Sequence, residues 1–369
     1  MDTFSIWEFN EIEKLETSQE KIENNKEIYE NIEWDDEPLK IEIKQTDNGD
    51  EFNKIKTLNI NGETIRYISF ATSVDRPKNV TLTDKWYLPD GKLKPRNERV
   101  RTINSDIILF ENDGKVYGVF FIGINGAKQI ISKLFSKSVW GEVSKLELGI
   151  DDDMLFWMFK SFIDFETKQL SDNVPICITA IRSYLAKTRD TLNTLRGKGE
   201  KISAILGTLA FLFNNDKLKS IRPEIQYKGE VFLIELSLSG TYKLDQTEYE
   251  GQFISLKGNE KRDAIVIYLI IVLLPKLVDA YKENIKSSEW SRELKIDFIK
   301  RLGVMIKENV DSELEEMEKI EIGHCDTNLD KKLVSDKDID ADIEEFDKDI
   351  EEFDKDIEEF DKDIEEFDK

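Results

Sequence analysis

The chain is poor in the residues that most often carry chemistry, with two cysteines and one histidine in 369 residues. So few cysteines exclude a disulfide framework, and Cys177, Cys325 and the lone His324 exclude a Cys/His zinc centre or a histidine-based triad in the middle of the chain. His324 and Cys325 are adjacent in an acidic stretch, and two neighbouring ligands do not make a metal site. Met1–Asn10 has neither the basic start nor the apolar run of an export signal, so a cytosolic protein with reduced thiols is expected. One membrane-like segment occurs, Ala264–Leu274, closed by Pro275 and Lys276. As a helix it would rise only about 16 Å, against roughly 30 Å for a bilayer core. It reads as a helix buried on all sides, not as a span.

What the chain has in plenty is acid. The formal charge is −24, yet 39% of residues are hydrophobic and 10% aromatic, so a packed core must exist. The charge is unevenly spread: residues 1–40 carry −9, residues 41–310 carry +4 and residues 311–369 carry −19. A mildly basic body between acidic ends could approach a polyanion that the ends would repel. The carboxyl end repeats Asp-Ile-Glu-Glu-Phe-Asp-Lys four times from Asp342 to Lys369. Its apolar residues, Ile343, Phe346, Ile350, Phe353, Ile357, Phe360, Ile364 and Phe367, alternate three and four apart, which is coiled-coil heptad spacing. Aspartates flank both sides of the stripe and disfavour a parallel self-pair. The stripe suits an amphipathic helix that folds on a basic, apolar partner surface; a solvated tail without fixed structure accounts for the same composition.

Between these ends the pattern predicts an α+β fold with an amino-terminal antiparallel sheet, a helical middle with a small β-meander, and two closing helices. The expected divisions are an acidic arm (1–38), a strand-rich domain (39–150), a mixed helical and meander domain (151–310) and the acidic repeat tail (311–369). Leu39–Lys44, Lys54–Ile60 and Thr64–Phe70 read as strands, with Asn61-Gly62 as a hairpin turn. Asp106–Phe110 and Lys115–Ile122 form a second hairpin about Asp113-Gly114, and Ser73–Asn104 between the hairpins reads as a long loop. Helices are expected from Asn125, from Asp151–Asp153, from Pro175 through Leu195, and over Ile202–Phe213. The meander comprises Ser220–Tyr227, Glu230–Leu238 and Gly240–Leu244, and the closing helices Lys261–Lys286 and Glu289–Val310.

Two clusters could bind nucleic acid. Lys85, Lys92, Lys94, Arg96, Arg99 and Arg101 surround Trp86 and Tyr87, which joins phosphate-binding cations to base-stacking rings. Asp84, Asp90 and Glu98 dilute this charge, and a surface loop with anchoring aromatics explains the same residues. The second cluster, Arg182, Lys187, Arg189, Arg196, Lys198 and Lys201, falls at the expected helix junction, where Gly199 and free N–H groups could hold a phosphate. At the glycine turn neither Lys198 nor Lys201 is followed by Ser or Thr as in a Walker loop, and Gly197 equally serves as a helix-ending residue. A metal-dependent nuclease is the minority reading, from Glu224, Lys228, Glu230 and Glu235, or Asp164, Glu166 and Lys168. Such runs arise by chance in a chain that is 35% charged. Asp151–Asp153 could chelate a cation, and capping of a helix start explains them as well. No cofactor is expected.

Three stretches, Asp106-Ile-Ile-Leu-Phe-Glu-Asn-Asp-Gly-Lys-Val-Tyr117, Ala127–Phe135 and Leu155-Phe-Trp-Met-Phe159, give residues 60–245 a layout that resembles bacterial antiphage-defence proteins of the Kiwa B-subunit and lambda RexA type. What the resemblance implies is a class of role, antiviral defence through association with DNA or with a partner; from the residues themselves the expected partners are DNA or RNA, or a protein from the same defence operon. It transfers no site residue. A scaffold subunit docking through the Ile/Phe heptads is the alternative.

Overall fold

The computed structural model describes residues 1–32, 37–46, 53–78, 86–164, 169–188, 192–199 and 206–323. Its first elements are β1 (Asp2–Phe9), α1 (Leu15–Asn24), β2 (Glu27–Glu30), β3 (Leu39–Lys44), β4 (Lys56–Ile60), β5 (Glu63–Pro77), α2 (Arg96–Arg99), β6 (Val100–Asn112) and β7 (Lys115–Phe120). There follow α3 (Ile124–Leu134), α4 (Lys137–Trp140), β8 (Val143–Lys145), α5 (Asp152–Asp164), β9 (Ile176–Lys187), β10 (Thr194–Lys198) and α6 (Leu206–Phe213). The last are β11 (Lys217–Tyr227), β12 (Glu230–Ser237), β13 (Thr241–Leu244), α7 (Gly258–Tyr268), a π-helical turn (Leu269–Leu273), α8 (Leu274–Lys286) and α9 (Arg292–Gly323). Helix and antiparallel sheet are thus mixed, as the pattern predicts. Met1–Lys307 is one compact body, and Glu308–Lys369 forms a second unit whose described part is helical to Gly323.

The described strands form a single sheet in the order β10-β9-β11-β12-β13-β1-β7-β6-β5-β3-β2, with β4 beside β5 and β8 beside β1. The strand-rich region and the meander are therefore parts of one sheet, joined by β1. Asp2–Ser5 pairs with β13 and Ser5–Phe9 with β7, both antiparallel. This corrects the reading of residues 1–38 as an arm, because that segment supplies β1, α1 and β2. Averaged charge hides the alternation that matters: Phe4 and Ile6 enter one core, while Trp7 and Phe9 enter the other.

Each face of the sheet is covered over one part. On the first face α5 to α8 and the body portion of α9 pack on β9, β11, β12, β13, β1 and the central ends of β6 and β7, through residues such as Trp157, Phe159, Tyr268 and Phe298. On the second face α1, α3 and α4 cover β1, β7, β6, β5 and β3, where Phe9, Phe120, Phe135 and Trp140 form an edge-to-face cluster. No described helix contributes to a core on the second face of β9 to β13.

The hairpin turns are as the sequence requires, with Asn61 and Gly62 at φ 53° and 88°, and Asp113 and Gly114 at φ 51° and 71°. The expected loop Ser73–Asn104 is strand at both ends, since β5 runs on to Pro77 and β6 starts at Val100, paired residue for residue, and the described residues between them are a loop with a short helix. The expected helix from Pro175 is instead β9, paired with β10 and β11. Three register irregularities along β11 explain the misreading. Two of them place an extra residue in β9, at Thr179 and Arg182, so the buried Ile176, Ile178, Ile181, Tyr184 and Ala186 fall two or three apart and imitate a helical period. Gly197 lies in β10 opposite Tyr184, where any Cβ would run into the ring, and does not end a helix.

Ala264–Leu274 is mostly buried in the first core, with Ile271 and Val272 half-buried against it. Gly258–Lys286 is the one described helix long and apolar enough to cross a membrane. Its π-helical turn precedes Pro275, whose ring cannot sit against an i−4 carbonyl and whose nitrogen donates nothing.

At the start of α5, Asp151 Oδ1 accepts the Met154 N–H at 2.8 Å, so the capping role holds. Asp153 accepts from Tyr281 Oη at 2.8 Å, Trp290 Nε1 at 2.6 Å and Lys295 Nζ at 2.8 Å, tying α5 to α8 and α9. Burial pushes its carboxyl up, but Lys295, Trp290 and Tyr281 outweigh burial and hold it below its ordinary 3.8. Asp153→Ala should destabilise the body by about 2 kcal/mol at neutral pH, because buried donors lose their acceptor. The stabilisation is present above the unfolded pKa and is lost as pH falls through the folded one. In urea denaturation the difference between wild type and variant should therefore shrink below pH 3.8; a difference near zero at pH 7 would show that the three bonds contribute nothing.

Candidate nucleic-acid interface

The two predicted cation clusters meet different fates. In the first, Lys85 lies outside the described residues. The rest fold as a small hairpin, with Lys94 N donating to Trp86 O at 2.8 Å, Leu88 N to Lys92 O at 2.7 Å, and Tyr87 bridging Leu93 about the Pro89-Asp90-Gly91 turn. Its arginines turn inward. Arg96 donates to the Glu37 and Pro38 carbonyls at 3.0 and 2.9 Å and to Asp75 at 3.3 Å. Arg99 is buried and its Nε donates to Lys94 O at 2.6 Å, while Arg101 donates to Gln129 at 2.9 Å. Lys92 pairs with Asp90 at 3.1 Å. The arginines fix the loop to the sheet, and only Tyr87 and Lys92 of the predicted set are left exposed among the described residues, Lys94 being half-buried.

In the second cluster, Arg189 and Lys201 lie outside the described residues. Arg182 and Lys187 are on β9, and Arg196 and Lys198 on β10, opposite Leu185 and Ser183. The helix expected to lead into the phosphate cradle is therefore a strand pair, α6 is described over Leu206–Phe213, and residues 200–205, where its start is expected, lie outside the described residues. Tyr184, Ile221 and Ile225 face the first core, so their strand neighbours face the other way, onto the uncovered second face. There the register adds cations that linear reading misses: Lys217, Lys219 and Arg222 on β11 and Lys243 on β13. The run Lys217-Leu218-Lys219 carried the signal, a cation on each side of a buried residue, but only strand pairing sets it against β9.

Acids balance part of this surface. Glu224 accepts from Thr179 Oγ1 at 2.7 Å and Arg182 at 2.9 Å; burial raises its pKa, and these two partners overcome burial to hold it below its usual value. Arg222 pairs with Asp245 at 2.7 Å and Lys243 with Glu235 at 3.8 Å. Lys187, Lys198, Lys217 and Lys219 join no ion pair among the described residues. Moreover Lys187 and Lys217 are direct partners in the β9–β11 register. Like charges placed opposite one another destabilise a sheet. Asp152 at the start of α5 feels Lys217 and Lys295, yet burial pushes its carboxyl up.

The carboxylates of the nuclease reading do not converge. Glu230 is buried beneath Tyr249, whose hydroxyl donates to it, whereas Glu224 and Glu235 lie on the open face. Asp164 pairs with Lys160 at 3.3 Å and Arg301 at 2.8 Å, and Glu166 and Lys168 lie outside the described residues. Among the described residues no three His, Cys, Asp or Glu side chains come together as a metal site. His324, Cys325 and the heptad residues from Ile343 to Phe367 also lie outside the description.

Neither a family model nor a curated protein matches this chain. The open cationic face thus stands on its own geometry.

If the Lys187/Lys217 opposition is a real electrostatic cost, Lys187→Glu should stabilise the fold. The expected gain is a few tenths to about 1 kcal/mol in low-salt urea denaturation, vanishing in high salt. A variant less stable than wild type at low salt would contradict it.

Proposed function

We propose that the protein is a non-catalytic, nucleic-acid-associated component of a bacterial antiviral defence system, with the open face of β9 to β13 as its binding surface. The observation that carries the reading is the Lys187/Lys217 pair, flanked by Lys198 and Lys219. A sheet that opposes two lysines gives up stability, and a bound polyanion returns it. The covering helices stop short of this face, so the cations project from a rigid backbone, which positions them better than the mobile ends of a loop. The role in defence comes from the resemblance of layout and from nothing on the surface itself.

The acidic tail is the regulatory part of this reading. Residues 311–369 carry −19 against +4 for residues 41–310, so tail and polyanion compete for the same cations. Removing residues 311–369 should tighten binding to DNA or RNA and steepen its dependence on salt. Fluorescence anisotropy of a labelled oligonucleotide with the full and shortened chains measures both. Equal affinities and equal salt slopes would overturn the regulatory role of the tail.

A further inference from the structure

β6 is paired along most of its length on one side and along only half of it on the other. It has 13 residues; β5 pairs with it from Val100 to Glu111, whereas β7 pairs only from Ile107 to Asn112. The last bond on the β7 side runs from Phe121 N to Asp106 O at 2.9 Å. There the chain leaves the sheet: Ile122 O accepts from Ser5 Oγ at 3.1 Å, and Ile124 N, opening α3, donates to Thr241 Oγ1 at 3.4 Å. Past Phe121, β1 and β6 face each other across the line of β7, two strand spacings or roughly 10 Å apart. A cleft of about 580 Å³ opens at this point, and Thr3, Asn104, Ser105, Asp106, Phe121 and Arg262 are among its walls. That volume is within the range of ligand sites.

Main-chain groups alternate in direction along an antiparallel strand. Because Asp106 O points at Phe121, the N–H and C=O of Thr102 and Asn104 point the same way, into the gap. Phe121 faces β6, so Phe120 faces its register partner Ser5 on β1, and Thr3 turns its N–H and C=O into the gap from the opposite wall. Among the described residues no main-chain group pairs with Thr3, Thr102 or Asn104 on this side. Two walls of unpaired main chain, one strand's width apart, are what an added strand needs.

The side chains around the gap set what that strand carries, since residues opposite one another in a ladder share a face. A residue opposite Asn104 would point to the first face, as Ile108 and Phe110 do. There the buried Arg262 lies on the Phe121 ring at 3.6 Å, with Nη1 donating to Asp106 at 2.9 Å and Nη2 to Asp263 at 3.0 Å. These charges satisfy one another, so an uncharged polar residue fits. Residues opposite Ile103 and Ser105 would point to the second face, where Ile103, Ile122 and Ile124 are only partly buried at the rim of the core. Apolar residues fit there.

We infer that the protein binds an extended segment of a partner protein in line with β7, held by main-chain hydrogen bonds to Thr3, Thr102 and Asn104, with apolar and uncharged polar residues alternating along it. The carboxyl repeats of this chain do not have that pattern, because their apolar residues stand three and four apart.

The probe is the peptide Thr-Ile-Thr-Ile-Thr, acetylated and amidated, added in saturating amount to the full chain. Hydrogen exchange at the amides of Thr3, Thr102 and Asn104 should slow roughly tenfold or more. Methylating the amide nitrogen of the central Thr keeps every side chain and should abolish the effect. Asn104→Pro removes a donor that faces only the gap, a place where a strand edge accepts proline. It should weaken the peptide roughly tenfold and leave the melting temperature unchanged. Equal slowing by the methylated peptide, or none by the parent peptide, would overturn the inference. Slow exchange at these amides in the chain alone would also overturn it, by showing that a second copy or another part of the chain fills the gap. None of these outcomes bears on the cationic face.

Discussion

The structure depends on the pairing of β1. Its eight residues form ladders with β13 along the first half and β7 along the second, and with β8 beyond β13. The two ladders turn what would be an amino-terminal sheet and a separate meander into one surface. Because β1 is buried on both faces, it also sits between the two cores, with Phe4 and Ile6 on one side and Trp7 and Phe9 on the other. A strand near the start of the chain that pairs with residues near 240 closes a very long loop. Such contacts form late and slowly in folding.

The arrangement of helices follows from this. Of the helices between β1 and β8, α1, α3 and α4 fall on the second face, and those from α5 onward fall on the first. Each group is too small to cover the full width of the sheet. The second face of the carboxyl half is consequently left to polar side chains, and the Lys187/Lys217 opposition is exposed there rather than buried. A buried pair would have been far more costly, since an unpaired charge in the core demands several kcal/mol of desolvation.

Much of this was legible where local chemistry decides. Asn61-Gly62 and Asp113-Gly114 demand left-handed backbone and mark their hairpins, and the 3.6-residue period of α3 is plain. β9 was not legible, because its register irregularities displace the inward residues and give a strand the spacing of a helix. β1 was hidden by the acids around it. For the site, the sequence named Lys187, Arg196 and Lys198 but set them on the wrong element. Lys217 and Lys219 could not be joined to them, since the two groups meet only through strand pairing across some thirty residues of chain. The first cluster misled for a different reason: Arg96, Arg99 and Arg101 look like a binding patch in one dimension, and in three they satisfy carbonyls and a carboxylate.

The central claim is that nucleic acid meets the open face and not the aromatic loop. The direct measurement is the reactivity of individual lysines towards an amine-acylating reagent, read by mass spectrometry with and without saturating duplex DNA. The account predicts protection of Lys187, Lys198, Lys217 and Lys219 with Lys92 and Lys94 unchanged. Protection of Lys92 and Lys94 with the four sheet lysines unchanged would contradict it.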